Sequence, residues 1–132
     1  MKGILLVSHG NLAMEMKNTV ELFSGKAEQF EAVSLLPSQE IKIFEQSLQS
    51  SIDQLDSGQG VVVFCDLAFG TPCNLVGKML GMDAYKSRLR LITGMNLPMI
   101  LEYLQTRQQE LKSKEIIQVG KDGIFDFNER IR

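Results

Sequence analysis

The chain has 132 residues, 44% apolar and 23% charged, and 14 basic against 16 acidic side chains give a formal net charge of −2. That length suits one domain, residues 1–132, with one core and one site. The interspersed, faintly acidic charge argues against nucleic acid as a partner, and the longest apolar stretches, such as Ile4 to Val7 and Val61 to Cys65, fall far short of the roughly 20 residues that span a bilayer.

Gly3-Ile4-Leu5-Leu6-Val7 reads as a strand buried on both faces that ends at Ser8-His9-Gly10. Those polar residues interrupt the apolar run after Lys2 before a signal-peptide core forms, so a cytoplasmic protein is expected. From Asn11, the spacing of Leu12, Met16, Val20 and Phe23 predicts an amphipathic helix that stops at Gly25. Phe30 to Leu36 supplies a second strand. A helix is expected from Pro37-Ser38, its apolar face running through Ile41, Phe44, Leu48, Ile52 and Leu55, closed by Gly58 and Gly60. Val61 to Cys65 repeats the buried-strand pattern and ends at Asp66. A third helix should follow through Leu75, Val76, Met79 and Leu80, with Thr71 as N-cap and Pro72 in the first turn. Leu89 to Thr93, flanked and interrupted by Arg88 and Arg90, reads as a strand nearer a sheet edge, and a fourth helix is expected from about Asn96-Leu97-Pro98 to Arg107. In the tail, Ile116 to Val119 reads as a short strand broken by Gly120 and Gly123, leaving Phe125 and Phe127 in need of a partner surface. Cys65 and Cys73, eight residues apart, lack metal-ligand spacing and are expected to be reduced thiols.

Four strands alternating with helices imply an α/β fold: a doubly wound, mostly parallel sheet of order 2-1-3-4 with helices on both faces. In such a sheet the ligand crevice opens at the carboxyl ends of the strands where the winding reverses, here between the first and third strands. Those strands end at His9, the only histidine, and Asp66.

A lone histidine is ordinarily structural, but this one sits beside uncrowded Gly10 and opposite a carboxylate. A carboxylate that accepts a hydrogen bond from one ring nitrogen fixes the tautomer and leaves the other nitrogen a nucleophile, as phosphoryl transfer to histidine requires. The alternative for Asp66 taken alone is a turn-forming acid after a strand. The amides that begin the third helix, with Thr71, suit an anion such as a phosphoryl group on His9. Gly70 either permits a close approach or a positive φ, or is a plain turn glycine. Asn96 faces the same end of the sheet, as an N-cap or as a rim contact.

Three segments, Gly3 to Gly10, Asp66 to Asn74 and Gly94 to Met99, lie in order and at spacing that resembles the mannose/fructose/sorbose/N-acetylgalactosamine family of enzyme IIA components of the sugar phosphotransferase system (PTS). The resemblance covers essentially the whole chain. It implies a phosphotransferase whose His9 accepts phosphate from the carrier protein HPr and donates it to an enzyme IIB component, which serves the membrane sugar permease. It further implies that Asp66 orients His9, that Thr71 contacts the phosphoryl group together with Gly70 and Phe69 of the same loop, and that a homodimer forms by exchange of a C-terminal strand, which would be Ile116 to Val119. The chain departs from the family in one place: two glycines usually precede Ser/Thr-Pro, and Phe69 replaces the first of them. Either phosphate-cradling amides are lost there, or Phe69 restricts which partner docks.

Two rival readings share parts of this pattern. A phosphocarrier subunit of a dihydroxyacetone kinase would use the same histidine chemistry toward a different acceptor. A small tetrapyrrole metal chelatase also opens with a strand and a His-Gly loop, but it looks to further histidines, which this chain lacks. No metal, nucleotide or other cofactor is expected, since no Gly-Lys-Ser phosphate loop occurs.

Overall fold

A computed structural model describes residues 1–131. The elements in chain order are β1 (Gly3–His9), α1 (Leu12–Ser24), β2 (Phe30–Leu35), α2 (Ile41–Leu55), β3 (Val61–Cys65), α3 (Thr71–Leu80), β4 (Leu89–Ile92), α4 (Leu97–Thr106), α5 (Ser113–Asp122) and α6 (Phe127–Arg130). The four strands form one parallel sheet of order β2-β1-β3-β4, the arrangement expected from the alternating pattern.

β1 is apolar from Gly3 to Val7 because it lies between two neighbours and under two helical layers. Ile4 and Leu6 point into a core shared with α1, α4 and α5, where Val20, Ile100, Tyr103 and Ile116 meet them. Leu5 and Val7 point the other way, onto α2 and α3, where Phe44, Leu48, Ile52 and Val76 pack. Each of these aliphatic or aromatic side chains contributes about 1.5–3 kcal/mol by leaving water, so the central strands are the most firmly placed backbone in the molecule. The register puts His9 opposite Leu35 of β2 and Val7 opposite Cys65 of β3. β1 thereby runs two residues past the end of β3, so Asp66, the next residue after β3, comes within one residue of His9 in the register.

The structure differs from the sequence reading at several places. Helix α2 starts at Ile41 and not at Pro37-Ser38, because Ser38 takes a φ of +66°, which a right-handed helix cannot contain. Helix α3 has Gly70 as its N-cap, which moves Thr71 one residue inside the helix, so the Thr71 hydroxyl is not the cap. The larger correction concerns the tail. Ile116 to Val119 lies inside α5 and is not a strand, so among the described residues there is no C-terminal strand available for exchange. Gly120, taken from sequence as a strand breaker, lies in the last turn of α5. A Cβ there would lie 2.5 Å from Met99 Cε, and its bare backbone lets α5 close onto α4. Phe125 and Phe127 stack on one another at 6.3 Å between ring centroids and remain exposed, as do Ile124 and Ile131. No helix among the described residues is long and apolar enough to cross a membrane.

Candidate functional site

His9 is the last residue of β1 and Asp66 the first after β3, and the parallel pairing of those strands makes them neighbours. One carboxylate oxygen, Asp66 Oδ2, accepts two hydrogen bonds: from the His9 backbone N–H at 3.0 Å and from the imidazole at Nδ1, 2.9 Å away. The other oxygen, Oδ1, accepts from the Leu67 N–H at 2.8 Å. Burial works against the charge on Asp66, but the bonds from the His9 backbone and ring, with that from Leu67, outweigh it and hold the carboxyl below the usual carboxylate range. An ionised carboxylate can only accept, so Nδ1 donates to it, and in the neutral form of the ring Nε2 is the nitrogen that carries the lone pair. The His9 side chain is 45% exposed while that of Asp66 is 12% exposed, so the ring is open to solvent and its anchor is largely covered.

The loop before α3 packs against the Cε1–Nε2 side of the ring. A Cβ on Gly70 would stand 2.5 Å from His9 Cε1 and 3.0 Å from Nε2, so only glycine leaves the imidazole its present position. Of the sequence readings of Gly70, the close approach is the one found, and the positive φ is not, since φ there is −81°. Beyond Gly70 the first turn of α3 leaves the N–H groups of Thr71 and Cys73 without intrahelical acceptors, as any helix start does, and Pro72 has none to offer. Thr71 is exposed there. The arrangement can therefore offer an anion on Nε2 two backbone donors, a hydroxyl and the positive end of a helix dipole.

Gly10 turns the chain at a φ of +58° and donates its N–H to the Leu35 carbonyl at 2.7 Å. Asn96 is committed elsewhere: its Oδ1 caps α4 by accepting from the Met99 N–H at 3.1 Å, and its Nδ2 donates to the Gly120 carbonyl at 2.8 Å, tying α4 to α5. The N-cap reading holds for it. Phe69 stands at a φ of +64°, a left-handed conformation that costs a bulky L-residue roughly 1–2 kcal/mol, and its side chain is 90% exposed.

Two contributors were missed from sequence. Fully buried Ser8 accepts the Ala13 N–H at 2.7 Å and donates to the Gly10 carbonyl at 3.2 Å, so it holds both arms of the loop that presents His9. A polar residue at the end of an otherwise apolar buried run was the available signal. Asn74 donates from Nδ2 to the Phe69 carbonyl at 3.2 Å and steadies the opposite loop. Cys65 and Cys73 are free and buried behind the site. Burial, then the nearby Cys73 and Asp66, push the Cys65 thiol up to about 12, so it stays protonated as core filling. No cluster of three or more metal-ligating side chains occurs among the described residues.

Comparison with known proteins bears on the same segments. Residues 3–119 match the EIIA-man family, described as the PTS system fructose IIA component. The chain is 24% identical over 125 residues to the mannose-specific EIIAB component of Escherichia coli (strain K12), covering 92% of this chain and 38% of that longer protein. It is 22% identical over 108 residues to the fructose-specific EIIA component of Bacillus subtilis (strain 168), covering 82% and 72%. Among solved structures, the PTS IIA protein associated with the fucose utilization operon of Streptococcus pneumoniae superposes with a TM-score of 0.89 at 29% identity, over 99% of this chain and 96% of that one. A match over nearly the whole sheet, together with an imidazole oriented by a carboxylate at its switch point, leaves one conclusion: the chain belongs to the mannose/fructose/sorbose (EIIA-man) family of PTS enzyme IIA components.

Proposed function

We propose that this chain is a phosphoryl carrier in which His9 Nε2 accepts a phosphoryl group from phosphorylated HPr and passes it to an enzyme IIB component for sugar uptake. The observation that carries the proposal is the double hold of Asp66 on His9, which engages Nδ1 and leaves Nε2 as the free nitrogen of a part-exposed ring. In the charging step the Nε2–P bond forms as the N–P bond of the donor's phosphohistidine breaks, with attacking and leaving nitrogens in line. The His9 ring gains positive charge as it bonds to phosphorus. The Asp66 carboxylate balances that charge through Nδ1–H, while the departing ring of the donor takes up a proton from solvent. The amides of Thr71 and Cys73 and the Thr71 hydroxyl, beside Gly70, stabilise the phosphoryl oxygens, and Phe69 contributes only its backbone to this cradle. Discharge to enzyme IIB runs the same steps in reverse with a new acceptor.

The protein would work in the cytoplasm and reach the membrane permease only through enzyme IIB. The sugars named for its relatives differ, mannose in one and fructose in another, and the sugar is not assigned to this chain. Homodimer formation belongs to the same reading and is supported by the exposed apolar residues of the tail, Ile124, Phe125, Phe127 and Ile131.

Incubation with phosphoenolpyruvate, enzyme I and HPr, followed by intact-mass measurement, tests the proposal. Wild type should gain one acid-labile phosphoryl group and His9→Ala none. A wild type that stays uncharged, or a gain that survives His9→Ala, overturns it.

A further inference from the structure

We propose that the cavity at the amino-terminal end of the sheet, the end away from His9, binds a small phosphomonoester. Its volume is about 330 Å³, and it is lined by Lys2 just before β1, Arg90 of β4, Tyr103 of α4 and residues 109–112, which lead from α4 to α5. Pockets for small organic ligands start at about 300 Å³, more room than a bare inorganic anion needs. Arg90 faces inward there. It pairs in register with Val62 and stands two residues before Ile92, and both of those side chains lie in the core beneath α4 and α5. A half-buried guanidinium in such a place requires acceptors or anions to offset its lost hydration. One of its five N–H groups donates to the Leu111 carbonyl at 3.3 Å, and it has no ion-pair partner among the described residues.

The rest of the lining repeats that imbalance. Lys2 and Lys112 are also without ion pairs among the described residues, and Glu110 is the one carboxylate. Three cations against one carboxylate leave two positive charges in surplus, the complement of a phosphomonoester, which carries about −1.5 to −2 at pH 7. Arg107, one helical turn beyond Tyr103 and 8% exposed, adds to the same field. It donates to the carbonyls of Lys2, Glu28 and Gln29 at 2.6, 2.7 and 2.8 Å and to no carboxylate among the described residues. The cavity also holds an unused donor. Tyr103 is 3% exposed, yet its hydroxyl has no hydrogen-bond partner among the described residues. Burial raises the phenol above its ordinary value and Arg107 and Arg90 pull it back, so both guanidiniums stand near that hydroxyl. A guanidinium fork, two ammonium groups and a phenol around one space suit the oxygens of a phosphate, with Leu111 and the Gln109 amide left for the organic part of the ligand.

The test titrates isotope-labelled protein with glucose 6-phosphate, glycerol 3-phosphate, inorganic phosphate and glucose, and follows the amide shifts. At least one of the two esters should give saturable shifts centred on Arg90, Tyr103, Leu111 and Lys112, with a Kd about tenfold or more below that of inorganic phosphate, while glucose gives none. Arg90→Gln should raise the Kd of that ester about tenfold, as loss of a charge-assisted fork predicts. Tyr103→Phe, which keeps the ring in the core, should raise it about fivefold, the worth of one neutral hydrogen bond. Thermal melts without ligand are the folding control, and Arg90→Lys, which keeps the charge and loses the fork, should still weaken binding about threefold. Absence of saturable shifts with both esters, or a Kd indifferent to all three substitutions, overturns the inference. So do shifts centred on Gly70 to Cys73, which would place the anion at the start of α3. Binding of inorganic phosphate as tight as that of either ester would show a site for the bare ion, and would equally overturn it.

Discussion

Replacing Gly70 by alanine tests how tightly the loop before α3 controls His9. The backbone at Gly70, φ −81° and ψ 169°, is open to alanine, so the effect is one of contact and not of conformation. The new Cβ would meet His9 Cε1 at 2.5 Å, against an ordinary separation of about 3.5 Å, and the ring has to shift by about 1 Å. The ring is attached to β1 and held at Nδ1, so that shift tilts it away from Asp66 and lengthens the 2.9 Å hydrogen bond. A hydrogen bond to a charged group is worth about 1.5–3 kcal/mol, and each 1.4 kcal/mol is a factor of ten in rate, so charging by phosphorylated HPr should slow roughly 10- to 100-fold. Stability should change far less. Alanine is a poorer N-cap than glycine by about 1 kcal/mol, which lowers Tm by roughly 3 °C in a domain of this size. Rapid-quench charging kinetics and a melt would be measured together with ring nitrogen shifts, which read the tautomer directly. Normal charging with an unaltered tautomer would show that the packing of Gly70 against the imidazole has no bearing on reactivity.

The other consequences concern the carboxylate and the tail. Asp66→Asn should leave the fold intact and slow charging by roughly 10²- to 10⁴-fold, because an amide no longer enforces the Nδ1–H tautomer; unchanged kinetics would remove Asp66 from its orienting role. The same substitution has a signature in acid. The Asp66 carboxyl is held below its ordinary value in the folded state, so it contributes stability above the usual carboxylate range that is lost as pH falls through the folded value. The stability gap between wild type and Asp66→Asn, measured by denaturant melts, should therefore narrow toward acid pH, and a gap that widened would contradict the geometry. Gly120→Leu should force α5 off Met99 and Asn96 at a cost of about 1–3 kcal/mol, lowering Tm by roughly 4–10 °C while charging at His9 persists. An unchanged melt would mean that α5 does not pack on α4 through this glycine.

Hydrophobic period was enough to read most of the fold. The runs at Gly3 to Val7 and Val61 to Cys65 are apolar at every position because both faces of a central parallel strand are covered, and both became β1 and β3. The order 2-1-3-4 then followed from right-handed crossovers and placed His9 opposite Asp66. The tail misled for a physical reason. Ile116-Ile117 followed by Gln118-Val119 is β-branched and short, which favours a strand reading, and glycine in a helix interior is ordinarily costly. Ile116, Gly120 and Gly123 nevertheless fall at i, i+4 and i+7, one face of a helix, and the glycines are there for Met99 and Pro98. That stripe was visible in the sequence, but its partner was not.

What the sequence determined by itself was the set of elements, their winding and the end of the sheet at which chemistry could occur, since each of these rests on local pattern and chirality. What only the tertiary structure decided was contact. The double hydrogen bond from His9 to one oxygen of Asp66, the capping of its loop by Ser8, the approach of Gly70 to the ring and the left-handed turn that exposes Phe69 all join residues through space. Distances of a few tenths of an ångström between such residues are set by how whole layers pack, and no periodicity along the chain encodes them.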